Sequence, residues 1–95
     1  MNIEQEIKLW EERSNDKFGQ ILKSIKELTN DYFVGEEDEY GMISTPIDDY
    51  IAAYTVYGNR KRIAHSIHGI LYNYDILGNY PEIENMVNEL LKLSK

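Results

Sequence analysis

From Ile3 onward the apolar residues return every three or four positions: Ile3, Ile7, Trp10, then Ser14, then Phe18, Ile21, Ile25, Leu28 and Tyr32. At 3.6 residues per turn these positions share one stripe, and the spacing predicts one amphipathic helix over about residues 2–32. Ser14 is the only polar member of the stripe. Ser14, Asn15 and Asp16 offer the alternative of a break into two helices, but Gly19 falls on the predicted solvent face, where it only weakens a helix. Continuity is the simpler reading.

The period then stops. Residues 34–45, VGEEDEYGMIST, hold two glycines and four consecutive acids, and they predict a loop or a short hairpin around GEEDEYG. Thr45 as N-cap, Pro46 in the first helical position and Asp48 in the third mark a second helix to about Tyr57. Its inner side is Ile47, Tyr50, Ile51, Tyr54 and Tyr57, and Gly58 suits its end. Asn59 caps a third helix from about Arg60 to Leu77, closed by Gly78, with Ile63, Ile67, Ile70, Leu71, Tyr74 and Leu77 facing inward. Pro81 opens a fourth, whose apolar set is Ile83, Met86, Val87, Leu90, Leu91 and Leu93.

Four amphipathic helices with one acidic loop in 95 residues predict a single all-α domain, a small bundle around one core. Tyr54, Tyr74 and Trp10 are expected inside it. Tyr72, off the stripe, is the better candidate for contact with a partner.

Composition narrows the setting. There is no cysteine, so neither a disulfide framework nor a thiolate zinc site is available, and a reducing cytoplasm is the expected location. No apolar run approaches the roughly 20 residues that cross a bilayer, and MNIEQEIKLWEER lacks the apolar core of a signal peptide. No membrane association is expected. Abundant Ile, Lys, Asn and Tyr with little Ala is the profile of an AT-rich coding sequence, such as that of a low-GC bacterium or its phage.

Charge sharpens the functional question. A formal charge of −7 argues against binding a nucleic-acid backbone and favours steering toward a basic partner. Yet Arg60, Lys61 and Arg62 stand at the start of the third helix, where the macrodipole disfavours cations. Two explanations compete. Either the chain's own acids, the EEDE run or Asp48 and Asp49, fold over them, or an anionic ligand is held there by the side chains and free amides together.

Lys61, His65, His68, Tyr72 and Ile76 lie together on the side of that helix opposite its inner stripe, which gathers both histidines beneath the basic start. Two histidines at i and i+3 do not complete a metal site, and Ser66 points away from them, so neither a metal, a cofactor nor a nucleophile–base pair is readable. A helix-turn-helix over residues 47–73 is compatible with the turn glycine but not with the net charge.

The leading expectation is a small acidic, non-enzymatic binding protein of the inhibitor, immunity or anti-defence type. It would meet a basic protein through Glu36, Glu37, Asp38, Glu39 and Tyr40, with Asp48 and Asp49 beside them. The alternative is capture of a phosphorylated small molecule, a nucleotide signal, by Arg60, Lys61, Arg62, His65, His68 and Tyr72, with a symmetric homo-oligomer completing the site. A third is a structural subunit whose nearly heptad-spaced first helix pairs with a copy of itself.

Overall fold

The computed structural model describes residues 2–30, 32–33, 36–37, 39–41 and 43–95. Five helices account for most of them: α1 (Ile3–Asn15), α2 (Lys17–Thr29), α3 (Pro46–Tyr57), α4 (Arg60–Asn73) and α5 (Pro81–Leu93). Between α2 and α3 the backbone makes a two-residue antiparallel pairing, β1 (Glu36–Glu37) with β2 (Ile43–Ser44), in the register Glu36 to Ser44 and Glu37 to Ile43. The fold class is all-α, with five helices where the spacing predicted four.

The extra helix comes from a break at Asp16. Its backbone is extended, and its side chain accepts the Gly19 amide at 2.7 Å, so Asp16 ends α1 and caps α2. Gly19 is buried rather than solvent-facing. A Cβ there would lie 2.2 Å from the Arg13 carbonyl oxygen, and only glycine lets the new helix start this close to the end of the old one. The stripe keeps its phase across the break, so periodicity alone reads as continuous.

α2, α3, α4 and α5 contact one another in a closed ring, in that order, with α5 returning to α2. Asp16 meets Tyr54 at one end of the α2–α3 pair and Lys26 meets Asp48 at the other, so these two helices run antiparallel. The buried cluster draws Phe18, Leu22 and Ile25 from α2, Ile47 and Tyr54 from α3, Ile63, Ala64, Ile67 and Leu71 from α4, and Ile83, Val87 and Leu90 from α5. Each Leu, Ile, Val or Phe among them contributes roughly 1.5–3 kcal/mol on burial. Phe33, Ile76 and Leu77 complete the cluster from the connections.

α1 supplies nothing to this cluster. It leans on α2 and α3 from outside the ring and has no buried residue; Trp10, expected in the core, is half-buried. On α2 the stripe is rotated from its expected setting: Leu22 and Thr29 are buried, while Leu28 and Tyr32 are exposed.

α4 also stops short of Leu77. Asp75 takes a left-handed φ of 56°, the Ile76 amide donates to the Leu71 carbonyl and the Asp75 amide to the Tyr72 carbonyl. This is a Schellman turn built on Asp75 rather than Gly78, with buried Ile76 as its hydrophobic contact. Ile76, expected on the outer face, is therefore core, and Tyr74, expected in the core, is 56% exposed with its ring edge-on to Phe33.

Candidate functional site

The Asp16 junction decides what the basic start of α4 does. One carboxylate oxygen of Asp16 is held by the Gly19 amide; the other accepts the Tyr54 hydroxyl and, at 3.2 Å, the Arg60 guanidinium. Arg60 also donates to the Tyr54 hydroxyl at 3.2 Å and to the Leu93 carbonyl, with its guanidinium carbon 5.3 Å from the Phe18 ring centre. One residue thus ties together α2, α3, α4 and the last turn of α5. Burial, and then the bond to Asp16, push the Tyr54 hydroxyl pKa upward.

The dipole penalty on Arg60 is therefore offset by a carboxylate standing where the α2 dipole favours it. The partner of Arg60 is thus Asp16 and, among the described residues expected to neutralise it, neither Asp48 nor Asp49; the side chains of Glu36, Glu37 and Asp38 lie outside the described residues. Arg13 acts similarly at the end of α3, donating to the Thr55 and Val56 carbonyls at 3.0 and 2.8 Å.

The other members of the expected anion set divide between two sides of α4, Arg62 on one and Lys61, His65, His68 and Tyr72 along the other. Arg62 lines a groove of about 690 Å³ between α3 and α4 with Asp49, Tyr50, Ala53, Tyr57 and Asn59. Lys61 and His65 line a different groove of about 650 Å³, toward Leu91, Ser94 and Lys95 of the last turn. His68 and Tyr72 are exposed and stacked on each other, their planes 12° apart and centres separated by 6.4 Å. Two of the first amides of α4 are already engaged, that of Arg62 by the Asn59 side chain at 3.2 Å and that of Arg60 by the Gly58 carbonyl at 3.0 Å. The structure does not gather Arg60, Lys61, Arg62, His65, His68 and Tyr72 into one site.

The acids divide as well. Asp48 is engaged inside the fold: it accepts the Thr45 amide at 2.9 Å as the return half of a capping box and pairs with Lys26 at 2.8 Å. Burial alone would raise its carboxyl pKa; the Lys26 ammonium and the Thr45 amide together outweigh that and hold it below the ordinary carboxylate range. Asp49 is exposed and lines the α3–α4 groove. Glu39 is exposed, and Tyr40 is 82% exposed. The expected contacts Glu36 and Glu37 lie in β1 with their side chains outside the described residues, as is Asp38 altogether.

No family model, curated protein or solved structure matches the chain. Its chemistry is carried by its own residues. No lysine or arginine occurs between Lys26 and Arg60, while that stretch holds eight acids: Glu27, Asp31, Glu36, Glu37, Asp38, Glu39, Asp48 and Asp49. Lys26 itself is occupied by Asp48. The remaining nine acids, in α1, at Asp16, at Asp75 and in α5, are balanced by ten basic residues, among them Lys17, which pairs with Glu89 at 2.7 Å, so the excess negative charge of the molecule falls between the end of α2 and the start of α4.

The two groups of residues that periodicity does not reveal are the Asp16–Tyr54–Arg60 junction and the groove that joins Asp49 to Arg62. Only the first had a local signal, the Ser14–Asn15–Asp16 run. Among the described residues no group of three or more His, Asp or Glu side chains is placed to hold a metal ion, and no helix is long and apolar enough to cross a membrane.

Proposed function

We propose that this chain is a small acidic, non-enzymatic binding protein that docks on a basic partner protein through the segment between α2 and α3, with Glu36, Glu37, Asp38, Glu39 and Tyr40 at the contact and Asp49 beside it. The observation that carries this reading is the charge asymmetry: eight acids and no base between Lys26 and Arg60 in a chain whose remaining charges are mixed. Such a concentrated field accelerates encounter with a positive surface and disfavours neutral or acidic ones. Tyr40, 82% exposed next to Glu39, adds aromatic contact area of the kind found at the centre of protein interfaces. Asp48 is withdrawn from the contact, since capping α3 and pairing with Lys26 occupy it. Action as an inhibitor, immunity or anti-defence protein of the cytoplasm is the biological role that fits such a module.

The test is kinetic. A basic protein that co-purifies with the chain should associate at least about tenfold more slowly with the variant Glu36→Lys, Glu37→Lys, Glu39→Lys at low salt, and the gap should narrow as salt rises. Equal association rates at low salt would rule the acidic segment out. The competing reading, capture of a nucleotide at the start of α4, has weaker support, because Arg60 is engaged by Asp16 and Arg62 lines a different groove from Lys61 and His65.

A further inference from the structure

α1 begins in solvent. Every residue from 2 to 8 is exposed, including Ile3 at 69% and Ile7 at 43%, and partial cover starts only at Leu9 and Trp10. The second half of this 13-residue helix rests on α2 and α3, but its first two turns have no such support, and they carry an apolar stripe on a three-to-four spacing. Counting 100° per residue, Glu4 and Glu11 border the Ile3–Ile7–Trp10 stripe on one side and Glu6 borders it on the other. The one basic residue on that border, Arg13, is committed to the Thr55 and Val56 carbonyls.

This charge pattern decides what can cover the stripe. A second copy of α1 packed antiparallel sets Glu4 of each chain against Glu11 of the other. A parallel pairing sets Glu6 against Glu11, so both orientations place like charges across the seam. An anionic lipid surface is disfavoured for the same reason. We infer that the outer face of α1, Ile3 and Ile7 bordered by Glu4, Glu6 and Glu11, is a docking site for an amphipathic helix of a partner protein whose flanking residues are basic. This goes beyond the acidic segment between α2 and α3, since it specifies an apolar contact and a helical partner at a different part of the surface.

Trp10, the only tryptophan, sits one turn beyond Ile7 and reports directly on the stripe. The probe is a synthetic amphipathic peptide of about 15 residues, long enough to form helix on binding, with leucine on its seam and lysine on its flanks. Titration should give a saturable blue shift of Trp10 emission, at least about tenfold weaker for Ile3→Gln with Ile7→Gln, which keeps every charge. The same peptide with glutamate for lysine should give none. Because both isoleucines are exposed, the double variant should melt with the parent, so lost binding cannot be lost folding.

The acidic-segment variant Glu36→Lys, Glu37→Lys, Glu39→Lys should still bind the peptide, which separates failure of this site from failure of the other. The inference is overturned by absence of a saturable shift, by equal binding to the glutamine variant, or by a homodimer in sedimentation that the glutamine variant dissociates. Stripe-dependent partition of the free chain onto zwitterionic vesicles would overturn it equally.

Discussion

The two ends of the first predicted stripe show what one periodic pattern can hide. Phe18, Leu22 and Ile25 are fully buried inside the four-helix ring, whereas Ile3 and Ile7, on the same three-to-four spacing, face solvent. Between them stands Asp16, which ends one helix, starts the next and anchors Tyr54 and Arg60. Apolar spacing states that a face will be covered; it does not state by what. On α2 the cover is α3 and α5; on the outer turns of α1 the described residues supply none.

The contrast is sharpest in the core itself. Leu22→Ala should lower stability by about 3 kcal/mol, enough to threaten folding of a small domain, and urea midpoints should show it. Gly19→Ala should follow at about 1–3 kcal/mol, because its methyl group would meet the Arg13 carbonyl, backbone that cannot rotate away. Were that variant as stable as the parent, the tight junction would not be what requires glycine.

Asp16→Ala removes the α2 cap and strands the Tyr54 hydroxyl, for a cost of about 1–2 kcal/mol. A double-mutant cycle with Tyr54→Phe should give a coupling of at least about 0.5 kcal/mol, and strict additivity would deny the junction. Because the Tyr54 pKa is raised in the folded state, its share of stability should persist below about pH 10 and fade above it; Tyr54→Phe should flatten that alkaline limb.

A smaller effect belongs to Asp48→Asn, about 0.5 kcal/mol at neutral pH for a pair that solvent still reaches in part. The Asp48 pKa is depressed, so this difference should be present above about pH 4 and close as pH falls through it, which parallel melts at pH 7 and pH 3 would measure. Smallest of all, Ile7→Gln should change stability by no more than about 0.5 kcal/mol, in line with a side chain that already faces water.

Much of the fold was legible because the signals were local. Pro46 and Gly58 bracket α3, Asn59 caps α4 and Pro81 opens α5, each through backbone chemistry that a few residues decide. The break at Asp16 was written in the Ser14–Asn15–Asp16 run, but the stripe runs in phase through it and outvotes it. The end of α4 was misplaced because Gly78 is the customary stop, while Asp75 took the left-handed position and turned Ile76 inward. Arg60, Lys61 and Arg62 read as one basic cluster in sequence because adjacency in a helix is not adjacency in space. Successive side chains diverge by 100°, and here they end in an ion pair and two separate grooves.

The central claim is that this chain works by binding another protein, and native mass spectrometry of the chain recovered gently from its host tests that most directly. The account predicts a complex of the chain with a basic protein that dissociates as salt is raised and is lost with Glu36→Lys, Glu37→Lys, Glu39→Lys. Recovery of the chain alone, as a homo-oligomer, or with a small anion in place of a protein would contradict it.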